Sequence, residues 1–170
     1  FVDRSLLNSR FNIDRDIGVQ LHHKIYLGNQ FVVKEIFTFS QGEGRNVVTG
    51  NLGGFQYTGR LEALPFGEFQ DYREASLERY ETPKLAMGVT YDHNNDAVKT
   101  RSNMGAYMFT ENGLHSTDIS TFFADFMFKY KGISVLGEFA HRDAKNPIAI
   151  EEDGTRTGAV VNVGNSINLQ

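Results

Sequence analysis

The stretch Phe55-Gln56-Tyr57-Thr58-Gly59-Arg60-Leu61-Glu62-Ala63 decides how the rest of the chain reads. Phe55, Tyr57, Gly59, Leu61 and Ala63 alternate with Gln56, Thr58, Arg60 and Glu62. Successive side chains of a strand point to opposite faces, so this period of two makes one apolar face and one charged face. Pro65-Phe66-Gly67 ends the run, because proline cannot donate to a sheet ladder.

The same period recurs on both sides. Upstream, Ile17, Val19, Leu21, His23 and Ile25 alternate with Gly18, Gln20, His22, Lys24 and Tyr26. A short break at 27–30 leads to a second run, Phe31–Ser40, and then to the polar, glycine-rich loop Gln41-Gly42-Glu43-Gly44-Arg45-Asn46. Downstream, the charged stretch Asp71–Glu81 reads as a short helix or polar loop, and Leu85–Asp92 alternates again. His93–Thr117 reads mostly as polar loop, with one short strand at Met104–Phe109. Phe122–Tyr130 and Ile133–Ala140 alternate on either side of the tight-turn signal Lys131-Gly132, and a last run lies near Gly158–Leu169. The reading predicts about seven strands, mostly of the roughly 9–11 residues that cross a bilayer at a tilt. Short breaks (27–30, 130–132) alternate with long ones (41–53, 93–117, 144–157), as tight periplasmic turns alternate with long outer loops in outer-membrane barrels. Segment 66–82 is long where this rhythm calls for a short turn. Glu35 shares a face with Phe31, Val33, Phe37 and Phe39, and a bulge there would turn it inward.

Composition bounds the function. The chain has 170 residues, no Cys and a net charge of −4, which argues against nucleic-acid binding and excludes disulfides and thiolate chemistry. No run approaches the roughly 18 apolar residues of a membrane helix, which leaves strand crossings open despite a mean hydropathy of −0.37. Alternation alone equally fits a soluble β-sheet binding domain. Two features favour the membrane beyond the break rhythm. Aromatics sit near the strand ends (Phe55, Tyr57, Tyr91, Tyr130, Phe139), and charges within the opposite faces (Lys24, Arg60, Glu62, Asp125, Lys129, Glu138) would line a wet interior.

Several segments, in order, resemble the phosphate-selective porin O and P family in its Bacteroidota-type versions. They are Arg15-Asp16-Ile17-Gly18-Val19-Gln20-Leu21, Gln41-Gly42-Glu43-Gly44-Arg45-Asn46, Tyr57-Thr58-Gly59-Arg60-Leu61-Glu62, Leu64-Pro65-Phe66-Gly67, Thr82-Pro83-Lys84-Leu85-Ala86-Met87-Gly88, and the run from Asp125 through Arg142. The resemblance implies an all-β, transmembrane, antiparallel up-and-down barrel of about sixteen strands, of which about seven lie here. It also implies a bacterial outer-membrane porin contacting lipid, commonly a homotrimer, that passes small anions such as phosphate. Residues 1–170 then read as part of a single barrel domain, incomplete at both ends. The alternative is a non-transporting barrel that serves as a structural or interaction component of a membrane assembly.

Candidate anion-binding or pore-lining residues fall in two groups. Arg4, Arg10 and Arg15 precede the first strand, in a segment whose family equivalent folds into the pore, where arginines attract anions by charge and forked hydrogen bonds. Lys24, Arg60 and Lys129 lie on faces expected to line the lumen. The bland reading of the first group is a solvated loop paired with Asp3, Asp14 and Asp16; that of the second is wall-stabilising pairs with Glu62 and Asp125. His22 and His23 are adjacent and so face opposite ways in a strand, which disfavours a shared metal. Asp92-His93-Asn94-Asn95-Asp96 lacks the terminal Glu of a calcium loop and reads as a solvated turn. No cofactor, metal or catalytic residue is assigned, and the chain is not read as an enzyme.

Overall fold

The computed structural model describes residues 5–49, 54–70, 72–73 and 77–170; the alternating runs up to Ala140 are strands in it, whereas the last run, near Gly158–Leu169, is split at 161–163 between two strands. The elements are α1 (Leu6–Phe11), β1 (Gly18–Leu27), β2 (Phe31–Ser40), β3 (Gln56–Leu64), β4 (Lys84–Ala97), β5 (Lys99–Arg101), β6 (Met104–Tyr107), β7 (Phe109–Thr110), β8 (Gly113–Leu114), β9 (Thr117–Tyr130), β10 (Ile133–Ala144), β11 (Ile148–Ile150), β12 (Arg156–Val160) and β13 (Gly164–Leu169). Seven of them form one sheet in the order β1-β2-β3-β4-β9-β10-β13, antiparallel throughout, with β1 and β13 at open edges. The pairs β5–β6, β7–β8 and β11–β12 are separate two-stranded hairpins in the long connections. Lys131 (φ 46°) and Gly132 (φ 90°) turn the chain between β9 and β10 in the left-handed geometry that matches strand twist.

Three expectations need correction. β4 does not stop near Asp92 but runs to Ala97, so the stretch Asp92–Asp96 is strand rather than turn. Its polar inner residues have partners remote in sequence: Gln56 and Thr58 donate to Asp92, and Asn94 donates to the carbonyl of Gly42. The connections 98–116 and 145–163 hold three hairpins where one short strand was expected. Glu35 is not turned by a bulge, for the β1–β2 and β2–β3 registers are unbroken. The described residues within 71–81 are loop and turn, one of the two forms expected there, and a helix lies in the segment before β1, capped by Ser5 Oγ, which accepts from Asn8 N at 3.1 Å.

The sheet is two-faced. Its apolar face carries Leu21, Phe37, Leu61, Tyr91, Phe126 and Ile167, and none of these is covered; Leu21 is 68% exposed and Ile167 78%. The opposite face is covered at three levels. At the short-turn end, the 65–83 segment folds back so that Phe69 packs with Val32, Leu64, Ala86 and Met127, and Tyr80 lies against them. At mid-height, Leu7 and Phe11 of α1 pack on Ala140 and Phe123. At the far end, the long connections bury Ala97, Met108, Ile119, Ala149 and Val161.

Candidate solute pathway

Register brings the charges of the covered face into one belt. Lys24 lies opposite Lys34, Lys34 opposite Glu62, Glu62 opposite Gly88, Gly88 opposite Asp125, and Asp125 opposite Glu138. Gly88 leaves a gap that the guanidinium of Arg60 fills: a Cβ there would lie within 2.8 Å of three guanidinium atoms. From that gap Arg60 reaches both neighbours, with Nη1 and Nη2 on Asp125 at 2.6 and 2.9 Å and Nη2 on Glu62 at 3.3 Å. Bidentate arginine–carboxylate geometry of this kind fixes both side chains. Asn168 Nδ2 donates to Glu138 at 2.8 Å and ends the belt.

The 65–83 segment answers the remaining cations. Glu68 accepts Lys24 at 2.9 Å and Lys34 at 3.4 Å, and Lys34 also reaches Glu62 at 3.2 Å. The hydrogen bond from Lys24, joined by that from Lys34 and by the charge of both lysines, holds the Glu68 carboxyl below its ordinary range against the opposing effect of burial. Lys84 Nζ donates to the carbonyl of Phe66, and Lys129 Nζ, fully buried, to the carbonyl of Arg73. The connection that breaks the short–long rhythm is long because it folds over the face and satisfies these lysines.

The segment before β1 is clamped from its C-terminal end. Arg142, 1% exposed, donates from Nε to Thr121 Oγ1 at 2.9 Å, from Nη1 to the carbonyl of Arg10 at 3.1 Å and from Nη2 to that of Phe11 at 2.7 Å. Its guanidinium lies 5.4 Å from the Phe11 ring centroid. Arg101 Nη1 donates to the carbonyl of Ser9 at 2.6 Å. These are the carbonyls a helix leaves unsatisfied at its end, and cations are favoured there. Beyond α1, Asn103 Oδ1 accepts Asp14 N at 3.1 Å, and Arg45 Nε donates to Asp14 Oδ2 at 2.6 Å. Burial pushes the Asp14 carboxyl up, but the Arg15 N–H and the Arg45 guanidinium together bring it below its usual value. The Gln41–Asn46 loop grips the same region: Gly42 N donates to Asp16, and Lys99 Nζ donates to the carbonyl of Glu43. Gly42 and Gly44 have φ of 84° and 66° and approach Asn94 and Asn103 too closely for a side chain.

The candidate residues therefore part company. Arg4 lies outside the described residues. Lys24 and Arg60 sit in ion pairs, and Lys129 is buried under the 65–83 segment. Arg10 and Arg15 are exposed and have no ion pair among the described residues. Two cavities flank the α1 segment on the charged face. One, of about 260 Å³, is lined by Asn8, Asn12, Arg60, Thr90, Asp125 and Glu138. The other, of about 350 Å³, is lined by Arg15, Asp16, Gln20, Thr38, Gln56 and Thr58. His22 and His23 do face opposite ways, and among the described residues no three His, Asp or Glu side chains group as a metal site requires. Sequence reasoning passed over Lys34, Glu68, Arg101 and Arg142. The alternation already put Lys34 and Arg142 on the charged face, whereas Glu68 and Arg101 carry no local signal. No protein-family model, curated protein or solved structure matches the chain.

Proposed function

We propose that this chain is part of the wall of an outer-membrane β-barrel through which small solutes, phosphate-like anions foremost, diffuse passively. The observation that carries the membrane reading is the slope of the apolar band across the sheet. In the register row Val19-Phe39-Tyr57-His93-Ser120-Asp143, residues are apolar or aromatic through β3 and polar from β4 onward. In the next row, Leu21-Phe37-Gly59-Tyr91-Phe122-His141-Asn165, the change comes between β9 and β10. The edge of the band thus moves two strands for each two-residue row, or one residue per strand. One residue is about 3.4 Å along a strand and one strand about 4.8 Å across, which makes an angle of roughly 35°. Barrel strands tilt by about 35–45° against the barrel axis, so a band level with a membrane would cross the register at that slope. A soluble sheet would have to cover the apolar face, which lies bare here.

The charge belt sums to zero over Lys24, Lys34, Arg60, Glu62, Asp125 and Glu138, so the wall itself gives no anion preference. Such preference rests with Arg10 and Arg15, the exposed and unpaired members of the candidate set. Planar-bilayer recording of the intact protein tests the reading. Expected are discrete current steps and, under a salt gradient, a reversal potential on the anion side that Arg10→Gln and Arg15→Gln reduce together. A protein without current steps refutes transport; steps with no anion preference refute the cargo. The covering of the charged face by the 65–83 segment favours the rival reading, a non-transporting barrel in a membrane assembly, and the same absence of current would decide for it.

A further inference from the structure

The charged face is not charged throughout. On β1–β3 two neighbouring rows of that face, Gly18-Ser40-Gln56 and Gln20-Thr38-Thr58, carry only glycine, hydroxyls and amides. The cavity of about 350 Å³ has these rows as its floor and residues 13–16 as its opposite wall. That wall is held in place: Asp14 by Asn103 and Arg45, Asp16 by the N–H groups of Ile17 and Gly42. The floor keeps unspent hydrogen bonds. Ser40 is 5% exposed, yet its hydroxyl has no partner among the described residues. Gln20 gives one amide N–H to Thr38 Oγ1 at 2.9 Å, which leaves it a second N–H and leaves the Thr38 hydroxyl its own proton. Thr58 spends its proton on Asp92 at 2.7 Å and keeps its lone pairs. Gln56 is engaged by Asp92 and Asn103 and serves to fix the floor.

We infer that this cavity binds an uncharged polyhydroxyl solute, a single sugar ring or a polyol of that size. Its free groups are mixed: donors at Gln20 and Thr38, acceptors at Thr58, and both at Ser40. A hydroxyl on carbon donates and accepts, so a few adjacent ones answer the whole set. A phosphate mainly accepts and an ammonium only donates, and either leaves part of the set unmatched where unmade hydrogen bonds are costly. The lining also carries two carboxylates, Asp14 and Asp16, to one guanidinium, Arg15, which further disfavours an anion. The volume falls within the roughly 300–1,000 Å³ of small-molecule sites. The inference goes beyond the anion pathway proposed above, and it concerns binding on this face whether or not the chain conducts.

Saturation-transfer NMR of the intact protein in detergent micelles, with D-glucose as the probe, tests the site. The expected result is a saturable signal that inorganic phosphate does not displace. Ser40→Ala should weaken binding by about five-fold, the scale of one net hydrogen bond. It should leave the unfolding midpoint in place, because Ser40 has no internal partner to lose. Thr38→Val keeps the shape of the side chain and should weaken binding to a similar degree. Ser166→Ala, on the same face at β13, should not change it. No saturable signal, unchanged binding in both Ser40→Ala and Thr38→Val, or displacement by phosphate overturns the inference. None of these outcomes touches the porin reading, which the bilayer current decides. A chain that conducts without binding glucose loses only this site, and one that binds it without conducting loses only the transport reading.

Discussion

Replacing Arg142 by Met should release the α1 segment from the charged face while leaving the sheet intact. Methionine fills much of the arginine stem's volume but has no donor and no charge. The substitution removes two charge-assisted hydrogen bonds to the carbonyls of Arg10 and Phe11 and the contact with the Phe11 ring. Such bonds contribute about 1.5–3 kcal/mol each, and a desolvated cation–π contact up to about 2. These are net figures that already count the hydrogen bonds to water regained on undocking, and the lower end for the two bonds gives a loss of about 3 kcal/mol. That corresponds to a shift of roughly a hundred-fold in the docked-to-undocked ratio. Trypsin reads this ratio, because cleavage of a transiently opened segment follows its open population when reclosing is fast. Cleavage after Arg10 and Arg15 should accelerate by about that factor, whereas cleavage after Arg156, in the β11–β12 hairpin, should not change. If α1 narrows the pathway, single-channel conductance rises in the same variant. Unchanged cleavage at Arg10 and Arg15 would refute the clamp. Equal acceleration at Arg156 would show general loosening instead, and would refute it as firmly.

Three further outcomes follow from the same contacts. Gly88→Ala should push the Arg60 guanidinium off Asp125, lowering stability by about 1 kcal/mol, the scale of a partly exposed ion pair, as read by the unfolding midpoint in denaturant. Glu68→Gln strips Lys24 and Lys34 of a shared carboxylate and should move the reversal potential further to the anion side. Burial raises the Glu43 carboxyl above 4.5, with Lys99 opposing and Asp16 adding to the rise. A raised folded pKa means that this stabilisation of the 41–46 loop is complete below the unfolded value and is lost as pH climbs through the folded one. Protection of the Gly44 and Arg45 amides, taken relative to the intrinsic base-catalysed exchange rate, should therefore fall across that window, and Glu43→Gln should abolish that fall.

The sheet was legible where a strand separates apolar from polar by face. Phe31–Ser40 was bounded correctly because turn residues mark both its ends, although Glu35 interrupts its apolar face. β4 was cut short because Asp92 and Asn94 look like turn residues locally; what makes them strand is Gln56, Thr58 and Gly42, partners 34 to 52 positions away. The covering segments were harder. Phe69 and Tyr80 signal burial, but their charged surroundings between 71 and 81 masked it. Of the candidate cations, sequence placed Lys24, Arg60 and Lys129 together on the charged face, where the register also puts them. It left open whether they pair, because pairing depends on register and on a segment that folds back from outside the sheet.

Among the seven long strands each pairs only with its neighbours in chain order, and this has a consequence for assembly. The sheet can grow by docking one strand at a time onto the edge just formed, with no long-range pairing to be found first. At any stage the growing sheet has two unpaired edges, whatever its width. In a bilayer, where open edges find no water, each added strand moves that deficit along without enlarging it. The hairpins between β4 and β9 and between β10 and β13 pair within themselves, so the long connections can mature without interrupting that order.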